Sequence, residues 1–157
     1  MILKALSSIN TTLKVALGEG SYSLDPIHLD LIRAVSETLN PSVSKLIDRQ
    51  IGRANYVEWM SGGRVNRVFF TNLGENEVIG SPDFQDALFR CKVRLENRTR
   101  TCNVVFYKGR LLDVEIPLAR KHWRGRAYEI LSCARSDPKS SHTHAIDRLE
   151  HGRTSES

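Results

Sequence analysis

The sequence predicts an α+β fold in which N-terminal helices precede an antiparallel sheet of about five strands. Apolar residues recur at intervals of three or four up to about residue 52 and alternate with polar residues from residue 55 onward. The first spacing is typical of an amphipathic helix and the second of a strand with one buried face. Because the two patterns are segregated along the chain, helices are expected to cover one face of the sheet.

Three helices are expected before the first strand. The stripe of the first runs through residues 2–17. Asp25–Pro26 and Asn40–Pro41 each place an N-cap residue before a proline at the first helical position, which starts the second and third helices. The third is expected to end near Gly52.

The sheet is expected to consist of a hairpin followed by a three-stranded meander. Tyr56–Met60 and Arg64–Phe70 form the hairpin, since both runs are rich in β-branched and aromatic residues. Phe89–Glu96, Thr99–Phe106 and Arg110–Ile116 form the meander, and the first of these alternates without a fault.

Turn lengths predict the register of the meander. A two-residue turn at Asn97–Arg98 would set Val93 opposite Cys102. A three-residue loop at Tyr107–Gly109 would set Val104 opposite Leu112, which keeps apolar residues together. The sheet should then contribute to the core through Phe89, Val93, Cys102, Val104, Phe106, Leu112, Val114 and Ile116.

The C-terminal third is expected to hold one more helix and a disordered tail. Apolar residues between Trp123 and Ala134 fall at helical spacing, so this helix would pack against the sheet and end near residue 135. Residues 136–157 carry too few bulky apolar groups to offset the entropy of ordering them. We therefore expect a single domain over residues 1–135 and a tail over residues 136–157.

Composition predicts a cytoplasmic protein without a metal or cofactor. The N-terminus lacks the features of a signal peptide, and no apolar run is long enough to span a membrane. Cys91, Cys102 and Cys133 form no CxxC pair, which indicates reduced structural thiols rather than a disulfide framework or a zinc site. The tail histidines 142, 144 and 151 have no preorganised third ligand and are not expected to bind a metal.

Positive charge is concentrated in one part of the chain. The formal net charge is +5, but residues 90–126 alone hold eleven Lys or Arg residues against three Asp or Glu residues. Such a field attracts nucleic acid, an acidic protein or an anionic surface without distinguishing among them.

Two groups of polar residues are candidate sites. In the predicted register, outward rows contain Arg94, Thr101 and Glu115, and Lys92, Asn103 and Asp113. Either carboxylate beside a cation could act as a general base, although a solvated sheet face with complementary charges explains the same pattern. In Arg120–Arg126, four cations surround Trp123, which could stack on a base or simply pack in the core. The candidate binding residues are Lys92, Arg94, Asn103, Asp113, Glu115, Arg120, Lys121, Trp123, Arg124 and Arg126.

These observations favour a non-enzymatic binding module over an enzyme, because the sequence holds no triad, Walker loop or dinucleotide fingerprint. The expected partner is an acidic protein, bound through the basic sheet face and the adjoining helix, as in an inhibitor or immunity-type protein. Binding to RNA or single-stranded DNA is the alternative, and a hydrolase or transferase that uses Asp113 and Glu115 is the third. Charge reversal at Lys92, Arg94, Arg120 and Arg124 is expected to slow association without affecting folding.

Overall fold

The computed structural model describes residues 10–136 of the chain. Within this range lie helices α1 (residues 10–16), α2 (Pro26–Glu37) and α3 (Pro41–Arg53). One antiparallel sheet contains the seven strands β1 (Gly20–Ser21), β2 (Ala54–Met60), β3 (Val65–Phe70), β4 (Asp86–Leu95), β5 (Arg98–Tyr107), β6 (Arg110–Glu115) and β7 (Tyr128–Arg135).

The α+β class and the two predicted helix starts are confirmed. Proline occupies the first turn of both α2 and α3, and the Asn40 side chain accepts a hydrogen bond from the Val43 N–H at 3.0 Å. This bond satisfies one of the backbone donors that a helix leaves without a partner at its N-terminus. No helix among residues 10–136 is both long enough and apolar enough to cross a bilayer.

The sheet joins the predicted hairpin to the predicted meander. The strand order is β1-β2-β3-β6-β5-β4-β7, so β3 pairs with β6 to fuse the two units. The prediction of about five strands missed the two edge strands, β1 and β7. Helices α2 and α3 pack on one face, and the core between the layers includes Ile32, Val35, Ile47, Phe89, Phe106 and Val114.

The prediction of a C-terminal helix was wrong, because residues 128–135 form strand β7. Gly125 has φ +70°, which ends any helical path, and the chain then pairs antiparallel with β4. Leu131 forms a β-bulge and has no partner in β4. Because of this extra residue, the half-buried positions Ile130 and Cys133 are separated by three residues instead of the two expected in a regular strand. One inserted residue therefore gives a strand the spacing of a helix.

The predicted turns were also wrong, although most inward positions were right. The first turn is Glu96–Asn97, which sets Cys91 rather than Val93 opposite Cys102. This shift by two residues leaves every side chain on its predicted face. The second turn contains only Lys108 and Gly109, both at positive φ.

The prediction placed one extra residue in a three-residue loop, whereas the structure places it in a β-bulge of the β5–β6 pair. Because of this bulge, Leu111 rather than Leu112 enters the core. The other seven residues predicted to face inward from the sheet are buried.

The expectation of reduced thiols is corrected by a disulfide between Cys91 and Cys133. The two residues are direct partners in the β4–β7 pair, with their Cα atoms 4.1 Å apart. Cys102 lies opposite Cys91 on the other side and is a free, buried thiol, whose pKa burial raises to about 12. The thiol-based argument for a cytoplasmic location no longer holds, and that location stays a prediction.

Reduction of the Cys91–Cys133 disulfide is expected to lower the free energy of unfolding by about 2–4 kcal/mol, because the bond closes a long loop and restricts the unfolded chain. Urea unfolding with and without dithiothreitol measures the difference. The double variant Cys91→Ser/Cys133→Ser is the control and should not respond to the reductant. An unchanged midpoint for the wild-type protein would contradict the expectation.

Candidate anion-binding surface

The segment Arg120–Arg126 is held to the core by Trp123. After a short 3₁₀ turn at Arg120–His122, the Trp123 side chain enters the core and is only 2% exposed. Its Nε1–H donates to the Leu118 carbonyl at 3.1 Å, and its ring meets His28 edge-on with centroids 5.2 Å apart. The core-packing interpretation of Trp123 is confirmed, so its indole is not presented for stacking on a base.

The neighbouring His28 is completely buried on the core side of α2. Its Nδ1 accepts a hydrogen bond from the Asp25 N–H at 3.2 Å, which requires an unprotonated nitrogen at that position. Burial lowers the pKa of His28 to about 4, against the opposing influence of the Asp25 carboxylate. His28 is therefore a neutral packing residue at physiological pH.

Arg120 anchors the same segment from the other side. Its Nε and Nη2 donate to the two carboxylate oxygens of Asp25, each at 3.0 Å, and its guanidinium lies 3.8 Å from the ring centroid of Trp59. Only 14% of the Arg120 side chain is exposed. The Asp25 carboxylate neutralises its charge, so Arg120 is a structural residue, and the expectation that its reversal leaves folding unaffected is corrected.

The two carboxylates considered as candidate general bases are already bound to neighbours. Asp113 is 6% exposed and accepts two hydrogen bonds from Arg67, at 3.0 and 3.1 Å. The bond to Asp113 raises the pKa of the Arg67 guanidinium. Glu115 accepts from Asn103 Nδ2 at 2.8 Å, its direct partner in the β5–β6 pair. In the same strand pair, Asp113 lies opposite Val105, so it does not belong to the predicted row with Lys92 and Asn103.

Strand β4 presents three cations on the outer face of the sheet, the face away from α2 and α3. Arg90, Lys92 and Arg94 are all exposed, as predicted. Arg94 bonds to Glu129 of β7 at 2.7 Å, in a pair that is more than half exposed on both sides and is worth little in stability. Arg90 and Lys92 have no ion pair within residues 10–136, so their charges are available to a partner.

A second concentration of positive charge lines a cleft of about 540 Å³ at the end of the sheet. The β4–β5 turn forms one wall, and the segment after Pro117 forms the other. Apolar side chains line part of the cleft, and Glu96 is its one acidic lining residue. The lining residues, which we call the arginine cleft, are Arg64, Leu95, Glu96, Arg98, Arg100, Leu118, Ala119, His122 and Arg126.

Most of the positive charge in the arginine cleft is unbalanced. Glu96 pairs with Arg126 at 3.4 Å, an exposed pair. Arg64, Arg98 and Arg100 form no ion pair with any residue in the described range 10–136. An anion that enters the cleft therefore meets guanidinium groups that no carboxylate neutralises.

Sequence reasoning missed Arg98 and Arg100, although their position in β5 gives a signal. Both lie directly opposite inward-facing residues of β4, namely Leu95 and Val93. Two arginines at positions that the alternation assigns to the core indicate that this end of the inner face is open to solvent, since unpaired charges are not buried.

The predicted binding residues divide among five environments. Lys92 and Arg94 lie on the outer face, and Arg126 lies in the arginine cleft. Lys121 and Arg124 are exposed on the loop between β6 and β7. The buried Trp123 and the partly buried Arg120 anchor that loop, and Asn103, Asp113 and Glu115 belong to hydrogen-bonded pairs within the sheet.

The chemistry that this region offers is the binding of anions. Among residues 10–136, no three His, Cys, Asp or Glu residues converge in a way that could hold a metal ion, and the tail histidines lie outside this range. The free guanidinium and ammonium groups suit carboxylates and phosphates. Comparisons of the chain with protein-family models, with curated proteins and with solved structures give no match.

Proposed function

We propose that this protein is a non-enzymatic binding module that engages an acidic protein partner. The contact region is the basic surface, which comprises Arg90 and Lys92 on the outer face, Lys121 and Arg124 on the loop, and the arginine cleft. One observation carries the proposal: Arg90 and Lys92 on the outer face, and Arg64, Arg98 and Arg100 in the arginine cleft, form no ion pair with any residue in the range 10–136. Complementary charge steers the encounter of two proteins and selects against wrong partners.

Within residues 10–136, the arginine cleft is lined by no Phe, Tyr or Trp side chain on which a base could stack, and this favours a protein partner over a single-stranded nucleic acid. Sequence-tolerant binding to single strands combines a basic groove with exposed aromatic side chains on which bases stack. Within residues 10–136, the exposed large aromatic residues are Tyr22, Phe69 and Tyr107, and none of them lines the arginine cleft. The cleft instead offers Leu95, Leu118 and Ala119, which suit the aliphatic parts of a polypeptide.

The hydrolase or transferase alternative gains no support from the carboxylates on which it depended. A general base needs a lone pair directed at the substrate proton. Asp113 directs both oxygens at Arg67, and Glu115 is hydrogen-bonded to Asn103.

Reversal of two charges on the outer face tests the proposal. The variant Arg90→Glu/Lys92→Glu is expected to slow association with a fluorescein-labelled polyglutamate peptide about tenfold or more at low salt, because exposed charges act mainly on the encounter rate. Stopped-flow fluorescence anisotropy measures the rate. The matched control is Lys45→Glu/Arg49→Glu on the exposed side of α3, which changes the net charge equally and should slow association far less.

A single-stranded RNA oligonucleotide of mixed sequence, tested in the same assay, separates the two kinds of partner. Preferential binding of the peptide supports the proposal. Tight binding of the RNA with a linear fall of log affinity against log salt, and no binding of the peptide, would replace the proposed partner with nucleic acid. Equal effects of the two double reversals would mean that net charge alone, and not the basic surface, governs binding.

A further inference from the structure

The arginine cleft concentrates more positive charge than its own carboxylate can neutralise. Arg64, Arg98 and Arg100 lie around one cleft together with the Arg126–Glu96 pair. Like charges held close together repel one another, and part of that cost remains even in water. An anion that several guanidinium groups bind at once removes this repulsion, which distinguishes the cleft from cations dispersed over a surface.

The number of free donors favours a phosphate group over a carboxylate. A carboxylate carries one negative charge, which a single guanidinium fork neutralises. A phosphate monoester carries about 1.5 to 2 negative charges at neutral pH and three strong acceptor oxygens, so it can accept from several arginines together. Three unpaired arginines around one cleft match the second group better than the first.

The rest of the lining suits a phosphate that is carried on a side chain. Leu95, Leu118 and Ala119 provide apolar contacts beside the arginines. Free phosphate would leave these apolar side chains exposed to water, whereas a side chain that bears a phosphate can cover them. Recognition of phosphorylated motifs by clusters of arginine is a recurring mode of peptide binding.

We propose that the arginine cleft binds a phosphorylated side chain of a protein partner. This inference rests on the proposed function, because it names the group that an acidic protein partner presents to the cleft. In this arrangement, Arg98 and Arg100 from β5 and Arg64, the residue before β3, bind the phosphate oxygens. The outer-face cations Arg90 and Lys92 steer the partner without distinguishing phosphate from carboxylate.

The test compares two peptide pools in which aspartate and glutamate flank a central serine, one pool phosphorylated at that serine and the other not. Fluorescence anisotropy measures the affinity of the full-length protein for each pool. The wild-type protein is expected to bind the phosphorylated pool at least about tenfold more tightly, the effect of one or two additional charge-assisted hydrogen bonds. Phosphoserine is expected to compete more effectively than inorganic phosphate, since only the former fills the apolar part of the cleft.

Two matched variants assign the preference to the cleft. Arg98→Gln/Arg100→Gln should abolish the preference for phosphate, whereas Arg90→Gln/Lys92→Gln should weaken both pools alike and preserve the ratio. Thermal melting checks that each variant is folded. Because Arg98 is exposed and Arg100 only half-buried, the single variant Arg98→Gln replaces the double variant if the latter is unstable.

Three outcomes would overturn the inference. The wild-type protein could show no preference for the phosphorylated pool, or the preference could survive in the cleft variant. Alternatively, a single-stranded RNA could bind more tightly than the phosphorylated pool and lose its affinity in the cleft variant, which would make the cleft a nucleic-acid site. If polyglutamate binds normally but phosphorylation has no effect, this inference fails alone. If the wild-type protein binds neither polyglutamate nor either pool, the proposed function fails with it.

Discussion

Replacement of Arg120 by alanine is expected to lower the free energy of unfolding by about 3 kcal/mol, the lower end of the range found when one partner of a buried ion pair is removed, because the Arg120–Asp25 pair is only partly buried. The variant loses two hydrogen bonds to Asp25 and the contact with the Trp59 ring. It also leaves the Asp25 carboxylate, which is 16% exposed, without its counter-charge. Urea unfolding followed by circular dichroism measures the change.

Arg124→Ala is the matched control for this prediction. Arg124 belongs to the same loop but is exposed, so its removal should change stability by no more than about 0.5 kcal/mol. The double variant Arg120→Ala/Asp25→Ala should recover part of the loss, because no unpaired carboxylate remains. Equal stabilities for Arg120→Ala and Arg124→Ala would show that the Arg120–Asp25 pair does not anchor the loop.

Replacement of Gln50 by alanine is expected to lower the free energy of unfolding by about 2–6 kcal/mol, since a buried polar group left without a partner costs about 1–3 kcal/mol and the variant creates two of them. The Gln50 side chain is fully buried on α3. Its Nε2 donates to the carbonyls of Glu77 and Gly109, each at 2.9 Å, and its Oε1 accepts from the Leu111 N–H at 2.8 Å. Gly109 keeps a second donor, Ile79 N–H, so the carbonyl of Glu77 and the N–H of Leu111 are the groups left without a partner.

Arg49→Ala on the exposed side of the same helix is the control for Gln50→Ala. It removes a long side chain at the adjacent position and should leave stability within about 0.5 kcal/mol of the wild-type value. Thermal or urea unfolding of both variants measures the difference. A loss below about 1 kcal/mol for Gln50→Ala would mean that water replaces the amide, which would contradict the prediction.

The three candidate functions depended on residues whose contacts in the fold cannot be inferred from the residues next to them in the sequence. Arg120 and Arg124 look alike in the sequence, yet one is paired inside the fold and the other is exposed. The partner of Arg120 is Asp25, which lies 95 residues away along the chain. Local pattern identifies a basic segment, but it does not tell which of its charges are already neutralised.

The same distinction applies to the sheet. The alternation in β4 by itself identified Arg90, Lys92 and Arg94 as outward-facing, because a strand with one face on the core has period two. The alternation could not show that Arg98 and Arg100, on the inner face, line a cleft. Whether a cleft forms there depends on how far the helices and the loop after Pro117 cover that face of the sheet.

The sequence alone determined the class of fold, the starts of α2 and α3, and most of the residues that the sheet buries. These features follow from local chemistry, since caps, proline and periodicity act within a few residues. Only the tertiary structure decided the turn positions, the strand β7 and its disulfide, and the separation of structural arginines from free ones. The physical reason is that bulges change the apparent period by a single residue, while ion pairs and strand partners form between residues that are distant in the chain.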